Sequence, residues 1–259
     1  MKQLIKLKNI LKRYPGVVVA FSGGVDSTLL LSVAKEILGD KVIAVTVASA
    51  LQPRDETADA SRIARRLGSK HVVYRIDVLS DKKISSNPVD RCYYCKMLLM
   101  KKIKELAEKE GYVAIEASNS SDLKDHRPGL KAVRCLGIRS PLIEAGLKKA
   151  DIRRAAKARG LPNWSKPSSA CLASRIPYNK AITMESLKRV ENAEMYLKRI
   201  GLSQVRVRDH FPVARIETGD REFKTLIANR QRICKYLRRL GYKHIAMDLD
   251  GYRTGSLNP

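Results

Sequence analysis

One short polar segment, Ser22–Ser27, has the residue types of a phosphate-binding loop. It lies between an apolar run and a helical pattern, and its two glycines let the backbone turn tightly against a ligand. Successive N–H groups at a helix N-terminus favour an anion, and the two serine hydroxyls add donors. Asp26 can either hold a Mg²⁺ that bridges phosphates or cap the helix. The candidate phosphate-binding residues are Ser22, Gly23, Gly24, Val25, Asp26 and Ser27.

A pair of cysteines suggests a second kind of chemistry. Cys92 and Cys95 form a Cys-Tyr-Tyr-Cys motif at the start of a predicted helix, and the spacing of three places both thiols on one face. A helix N-terminus stabilises the thiolate, which is the form that binds metals and attacks electrophiles. The pair alone fits half of a zinc site, a redox pair, two ligands of an iron–sulfur cluster, or a spacing without function.

The third notable cysteine, Cys171, lies in a segment of different character. Two prolines, several small residues and flanking basic residues surround it within Lys166–Pro177. This composition predicts an exposed loop whose field favours the thiolate. Cys135 and Cys234 instead lie in apolar periodic stretches, so we expect both to be buried as small hydrophobic residues.

Polar residues also follow the fourth predicted strand. Ser118, Asn119 and Asp122 lie at the carboxyl edge of the sheet, where open α/β proteins bind ligands. They fit a nucleotide contact and fit an Asx turn with a helix cap equally well. Arg127 and Arg134 bring positive charge near the same edge, and arginine suits bidentate phosphate binding.

The elements that must position these groups alternate through the first half of the chain. Strands are predicted at 17–21, 41–47, 71–78 and 112–118, with helices at 28–38, 55–67 and 92–110. An amphipathic helix precedes them, with one side formed by Leu4, Ile5, Leu7, Ile10 and Leu11. Continuous apolar strands in this alternation predict an α/β fold with a parallel sheet covered on both faces.

The remainder of the chain has a different order of elements. Residues 119–180 are rich in Ser, Asn, Pro and Gly, with one helix predicted at 149–159. After Pro177 the patterns predict a helix at 184–200, strands at 204–209 and 213–217, a helix at 221–240 and a strand at 244–249. This αββαβ order predicts a small α+β domain. We therefore divide the chain into domains at 1–178 and 179–259.

Composition limits the class of protein. The chain has 259 residues, of which 44% are hydrophobic, which excludes intrinsic disorder. The net charge of +25, densest in residues 120–180, favours anionic partners such as nucleotides, phosphorylated small molecules or RNA, or else reflects a solvated basic surface. Without a bilayer-spanning apolar stretch or a signal-peptide core, we expect a cytoplasmic protein with no membrane partner. In that compartment, five cysteines favour metal or thiol chemistry over disulfides.

Taken together, several segments resemble one family. Ser22–Ser27 resembles the pyrophosphatase loop of adenylating enzymes related to NAD and GMP synthetases, which cut ATP between its α and β phosphates. With that loop, Ser118–Gly129, Leu130–Leu147, Lys166–Pro177 and the tail Asp248–Asn258 resemble the LarE-type ATP-dependent sulfur transferases over nearly the whole chain. The resemblance implies an adenine nucleotide alpha hydrolase-like domain that binds ATP and Mg²⁺.

The resemblance also implies the reaction and its partners. The substrate would be a nucleotide-like small molecule, a pyridinium dicarboxylate mononucleotide, whose carboxylate is adenylated and then converted to a thiocarboxylate. One branch of the family sacrifices the cysteine matching Cys171, while the other holds a [4Fe–4S] cluster on three cysteines. Cys92, Cys95 and Cys171 match the second branch and are the predicted cluster ligands. The predicted catalytic residues are Cys171 and, in the phosphate-binding loop, Asp26. Sulfide or a sulfur-donor protein would supply sulfur, and we expect a homo-oligomer.

Members of this family place phosphate- and metal-binding groups in the C-terminal domain. Arg206 and Arg208 alternate with valines there, and Glu191 and Glu194 lie one helical turn apart, where they can bind a cation or pair with Lys188 or Lys198. By resemblance, the substrate-site candidates are Ser174, Arg175, Glu191, Glu194, Arg206, Arg208, Arg215 and Glu217.

Three other functions share parts of this pattern. A tRNA-thiolating enzyme uses the same adenylation and cluster chemistry and would explain the positive charge, but no RNA-binding module is recognisable and the aromatic residues do not cluster. A non-catalytic iron–sulfur or nucleotide-binding protein is the second alternative. An amide-forming synthetase is the third, and no obvious domain is present to generate ammonia.

Overall fold

A computed structural model describes residues 2–124, 128–167 and 170–253. In chain order the elements are α1 (Lys2–Leu11), β1 (Val17–Ala20), α2 (Val25–Leu38), β2 (Val42–Ala48), α3 (Arg54–Arg66), β3 (Lys70–Arg75), α4 (Lys82–Ser85), α5 (Arg91–Glu110), β4 (Val113–Ile115), α6 (Pro128–Cys135), α7 (Pro141–Glu144), α8 (Lys149–Ala158), α9 (Met184–Arg199), β5 (Val205–His210), β6 (Val213–Thr218), α10 (Phe223–Ala228), α11 (Arg230–Arg239) and β7 (His244–Met247). Short 3₁₀ helices occur at Ser120–Lys124, Leu172–Arg175 and Asp220–Glu222.

The chain packs as two compact units. The first runs to Val78 and resumes at Asp90, and the second comprises Leu79–Val89 together with the chain from Ala170 onward. Contacts therefore group α4 with the C-terminal elements, a grouping that the sequence gives no reason to expect. The proposed domain division between residues 178 and 179 stays a prediction.

The first unit contains the predicted parallel sheet, in the strand order β3-β2-β1-β4. Alternate residues of β1 face opposite layers: Val17 and Val19 pack with α1, α2 and α8, whereas Val18 packs with α5 and α6. Burial on both faces explains why the strands read as continuous apolar runs. The α/β fold class is confirmed, and only the strand ends differ from the predicted ones.

The N-terminal helix shows how the helical period limits such predictions. Leu7 and Leu11 are fully buried, and Leu4 and Ile10 pack against the same core. Ile5 is 59% exposed, so the prediction that it shares this face is wrong. A residue next to Leu4 lies about 100° around the helix from it and faces away from the sheet.

The second unit contains a three-stranded sheet in the order β5-β6-β7. Strands β5 and β6 are antiparallel, and β6 and β7 are parallel, with α9 and α11 contributing to the core. The helix predicted at 221–240 is divided at Asn229, whose side chain donates to the Thr225 carbonyl at 2.9 Å and ends α10. Within the described residues, the helices are too short or too polar to cross a membrane.

Candidate active site

The loop between β1 and α2 is held in a conformation that requires glycine. Gly23 has φ +71°, and a Cβ there would lie 3.0 Å from the Cα of Ala60 on α3. The Ser22 and Ser27 hydroxyls lie 3.1 Å apart, and the Gly24 N–H points to the Ser22 Oγ at 3.3 Å. Helix α2 begins immediately after Gly24 with no side-chain cap, so its first N–H groups face the loop. Such an arrangement favours an anion.

A residue far along the chain fixes this loop. Asn163, which is buried, donates from its Nδ2 to the Gly23 carbonyl at 2.8 Å and lies 2.9 Å from the Thr28 Oγ1. The Asn163 Oδ1 is also buried and has no hydrogen-bond partner among the described residues. The sequence does not single out this residue, because an asparagine after a proline is an ordinary turn signal.

Asp26 does not cap the helix, because it is the second residue of α2 and its carboxylate pairs with the Lys149 ammonium on α8. Its Oδ1 is buried without a hydrogen-bond partner among the described residues. Desolvation raises the pKa of Asp26, although Lys149 acts in the opposite direction. A buried carboxylate oxygen that lacks a partner fits a hard cation such as Mg²⁺, which prefers oxygen ligands. Lys149 is a second site residue that the sequence did not reveal.

The loop opens into a cleft of about 280 Å³ at the carboxyl edge of the sheet. Ser22, Gly24, Asp26 and Ser27 form its polar end, while β2 and α5 form the walls. The apolar wall consists of Val45, Val47, Leu99, Met100 and Ile103. An apolar wall beside an anion-binding loop suits a ligand with a flat ring and phosphates.

A buried carboxylate forms another part of the cleft. Glu116, which follows β4 and is 2% exposed, accepts hydrogen bonds from the Ser118 N–H at 3.1 Å and the Ser118 hydroxyl at 2.7 Å. The Lys96 ammonium on α5 lies 3.6 Å from the same carboxylate. Both Glu116 and Lys96 line the cleft, and neither was predicted. Lys96 could have been found from its position four residues after Cys92.

The polar residues after β4 adopt the Asx turn that was one of the two alternatives from the sequence. The Asn119 N–H donates to Asp122 at 2.9 Å, and the Ser121 N–H donates to the Asn119 Oδ1 at 2.9 Å. Ser118 and Asp122 also line the cleft, so the turn and a ligand contact are compatible at this edge. Arg134 is exposed on α6, and Arg127 lies outside the described residues.

The Cys92–Cys95 pair lies in the first turn of α5, as predicted. Cys92 is exposed and Cys95 is partly buried. One turn further along this helix, Lys96, Leu99 and Met100 line the cleft. The helix that carries the two thiols therefore also forms a wall of the cleft that the glycine loop opens into.

The predictions for the two remaining cysteines are wrong. Cys135 is exposed and Cys234 is partly buried, whereas both were expected in the core. Cys135 is the last residue of α6, whose buried face is formed by Ala132 and Val133. The Cys135 thiol lies near the Tyr93 hydroxyl and raises the pKa of that tyrosine. Over the described ranges no three His, Cys, Asp or Glu side chains are grouped closely enough to hold a metal ion.

In the second unit, hydrogen bonds to its backbone carbonyl hold Cys171 in place. It is partly buried, and its carbonyl accepts from the Ser174 hydroxyl at 2.7 Å and from the Arg175 Nη1 at 3.0 Å. Arg175 is itself 3% exposed and pairs with Glu194 through bonds of 2.8 and 2.9 Å. Residues 171–176 are thus buried or partly buried, whereas the composition of the segment predicts an exposed loop.

Most of the C-terminal candidates lie in one network of arginines and carboxylates. Arg208 donates to Glu217 at 2.9 and 2.6 Å and to the Ser174 carbonyl at 2.8 Å, and Arg215 reaches Glu217 at 3.1 Å. Glu194 accepts hydrogen bonds from Arg175, so of the alternatives that its helical spacing allowed, pairing with Lys188 or Lys198 does not occur at this residue.

The remaining two candidates lie beside this network. Arg206 is partly buried over the Tyr252 ring, and burial lowers its pKa. Glu191 is buried on α9. Substrate roles for this whole group stay predictions.

Comparison with known proteins identifies the family. Residues 11–83 match the family described as asparagine synthase. The pyridinium-3,5-bisthiocarboxylic acid mononucleotide synthase of Lactiplantibacillus plantarum is 38% identical over 96% of this chain and 91% of its own length. Uncharacterized proteins of Synechocystis sp. and Methanocaldococcus jannaschii are 36% and 31% identical, over 99% and 98% of this chain and 97% and 98% of their own lengths. The chain belongs to the LarE-type family of ATP-dependent sulfur transferases.

Proposed function

We propose that this protein uses ATP to adenylate a carboxylate of a pyridinium dicarboxylate mononucleotide and converts it to a thiocarboxylate. One observation carries the proposal: the glycine loop and α5, the helix that carries Cys92 and Cys95 near its start, line the same cleft. A single cleft thus has groups for pyrophosphate at one end and thiols on the helix of one wall. The relative from Lactiplantibacillus plantarum, named as a bisthiocarboxylic acid mononucleotide synthase, supports this substrate class.

In the first step a substrate carboxylate oxygen attacks the α-phosphorus of ATP. The new bond gives an acyl-adenylate, the bond between the α-phosphorus and its bridging oxygen breaks, and pyrophosphate leaves. The loop N–H groups and the hydroxyls of Ser22 and Ser27 bind the pyrophosphate and stabilise the charge that develops on it. Asp26 would hold Mg²⁺, which would supply positive charge to neutralise the phosphates.

In the second step sulfur replaces the adenylate. A sulfur nucleophile attacks the carbonyl carbon, the carbon–oxygen bond to AMP breaks, and the thiocarboxylate remains. We propose that Cys92, Cys95 and Cys171 hold a [4Fe–4S] cluster, which would supply a site for labile sulfide. The thiol spacing on α5 and the exposure of Cys92 suit two of these ligands. It also stays a prediction that sulfide or a donor protein supplies the sulfur. The same holds for the homo-oligomeric state and the cytoplasmic location.

The test is turnover of anaerobically reconstituted protein with ATP, Mg²⁺, sulfide and the mononucleotide, followed by mass spectrometry of product and protein. We expect pyrophosphate release and repeated exchange of oxygen for sulfur. Cys92→Ser and Cys171→Ser should release pyrophosphate but form no thiocarboxylate, whereas the control Cys234→Ser, altered in α11, should turn over normally.

Three other results would point to other functions. Loss of the Cys171 sulfur once per molecule would favour the sacrificial branch of the family. Absence of pyrophosphate release with the mononucleotide, together with release in the presence of tRNA, would favour tRNA thiolation. Absence of release with either substrate would favour a binding protein that catalyses no reaction.

A further inference from the structure

Helix α11 concentrates positive charge on an exposed surface of the second unit. Its sequence, RQRICKYLRR, has five basic residues and no acidic one, and all five basic side chains are exposed. Ile233 and Leu237 anchor the opposite face in the core. A shallow groove of about 560 Å³ follows the exposed face, and its lining is Arg230, Gln231, Cys234, Lys235, Arg238 and Arg239.

These cations differ from the buried arginines of the same unit. Arg175, Arg189 and Arg208 each form two hydrogen bonds with a carboxylate. Across the residues that the structure describes, no carboxylate pairs with a basic side chain of α11. The charges of the groove are therefore available to an external anion.

The arrangement costs the helix some stability. Lys235 has basic residues three positions before it and three and four positions after it, and like charges at these spacings repel. Arg230 and Arg232 lie in the first turn, where the helix dipole disfavours cations. The unpaired basic residues of α11 remain in place despite mutual repulsion and an unfavourable helix dipole. This indicates a binding surface rather than incidental basic composition.

We propose that this groove, formed by Arg230, Lys235, Arg238 and Arg239, docks the phosphate backbone of a nucleic acid. Four of the five cations of α11 are arginines, whose planar guanidinium groups bind phosphate oxygens in pairs. The groove has no exposed large apolar side chain, whereas a stable protein partner requires an apolar centre. Phosphate contacts need no such centre. Binding of nucleic acid at this groove does not depend on the proposed sulfur chemistry.

The experiment measures binding of the full-length protein to a labelled structured RNA, to duplex DNA of equal length and to polyglutamate, from 50 to 200 mM salt. The test variant carries Arg230→Gln, Arg238→Gln and Arg239→Gln. The control variant, Arg13→Gln with Arg65→Gln and Arg66→Gln, removes the same charge from exposed positions of the first unit.

We expect nucleic-acid affinity to fall at least about tenfold in the test variant, and the slope of log affinity against log salt to weaken by about 2 to 3, since each phosphate contact contributes roughly 0.9 on duplex DNA. The control should change the slope by less than about 1. The melting temperature of the test variant should stay equal or rise, because repulsion is relieved. A preference for RNA or for duplex DNA shows which nucleic acid supplies the phosphate backbone.

Three outcomes would overturn the proposal. Equal losses in the two variants would assign binding to net charge alone. Tight binding of polyglutamate with no binding of either nucleic acid would assign the groove to an acidic protein. Failure to bind any of the three polyanions at 50 mM salt would leave α11 as a solvated surface.

Discussion

Three buried arginines of the second unit each pair with a buried carboxylate, whereas one carboxylate in the cleft of the first unit has a buried oxygen without a partner among the described residues. The pairs Arg175–Glu194, Arg189–Asp209 and Arg208–Glu217 have side chains no more than 9% exposed, and each is joined by two hydrogen bonds. In the cleft, Asp26 has one oxygen paired with Lys149 and one buried oxygen without a partner in the described chain.

This difference separates structural charge from charge kept for a ligand. A buried ion pair whose hydrogen bonds are complete gains nothing from a ligand and loses stability when one partner is removed. A buried carboxylate oxygen without a partner raises the free energy of the empty protein, and a bound cation relieves that cost. The comparison therefore predicts opposite responses when carboxylates in the two regions are replaced by amides.

The largest effect is expected at Glu217 in the second unit. Glu217→Gln removes the charge of the carboxylate that pairs with the buried Arg208 and with Arg215. Breaking one side of a buried pair costs about 3–5 kcal/mol, so we expect the free energy of unfolding to fall by that amount. Urea denaturation of the full chain measures it.

The matched control replaces a carboxylate that pairs with another arginine of the same unit. Glu185→Gln removes a carboxylate that is 85% exposed and lies 3.2 Å from Arg189. Exposed pairs contribute about 0–1 kcal/mol, so this variant should unfold close to the unaltered protein. Similar losses in Glu185→Gln and Glu217→Gln would show that burial does not set the strength of these pairs.

An intermediate effect is expected for Gly23→Ala in the cleft. The left-handed conformation costs a non-glycine residue about 1–2 kcal/mol, and the added methyl group would press against the backbone of Ala60. Movement of the loop should weaken binding of ATP and Mg²⁺ about tenfold or more, since 1.4 kcal/mol is a factor of ten. Isothermal titration calorimetry measures this affinity.

Gly68→Ala is the control for backbone conformation alone. Gly68 has φ +61°, and beyond its own and its neighbouring residues no heavy atom lies within 4 Å of the position its Cβ would take. This variant should lose stability through its backbone and keep its ATP affinity. If both glycine variants bind ATP normally, the Ser22–Ser27 loop is not the phosphate site.

The parts of the molecule that could be predicted are those with local signals. The strands of the first sheet are continuous apolar runs because both faces are covered, and the glycine loop is contiguous in sequence, so fold class and loop position were both evident. The family resemblance likewise rests on contiguous motifs, and the relatives confirm it.

The residues that hold the glycine loop and Asp26 in place could not be predicted, because they come from distant parts of the chain. Asn163 contacts Gly23 across 140 positions, and Lys149 contacts Asp26 across 123. No periodicity or spacing connects such residues before the chain folds. The exposure of Cys135 was missed because its apolar sequence context does not show that the residue ends α6 outside the buried face formed by Ala132 and Val133.

The smallest effect on stability, and the one of opposite sign, is expected for Asp26→Asn. Burial raises the pKa of Asp26, so the folded protein retains this proton to a higher pH than the unfolded chain does. Stability therefore falls as pH rises from the ordinary value of 3.8 through the raised pKa. An asparagine carries no charge, so Asp26→Asn should melt at the same or a slightly higher temperature at pH 7 and lose that advantage below about pH 4.

The same change should impair function, because an amide binds Mg²⁺ less well than a carboxylate does. Affinity for ATP with Mg²⁺ and pyrophosphate release should both fall, while Lys149, 31% exposed, remains solvated. Asp40→Asn, altered at a fully exposed carboxylate just after α2, should leave ATP binding unchanged. A lower melting temperature for Asp26→Asn at pH 7 would make Asp26 a structural carboxylate like Glu217, and the distinction between the two regions would fail.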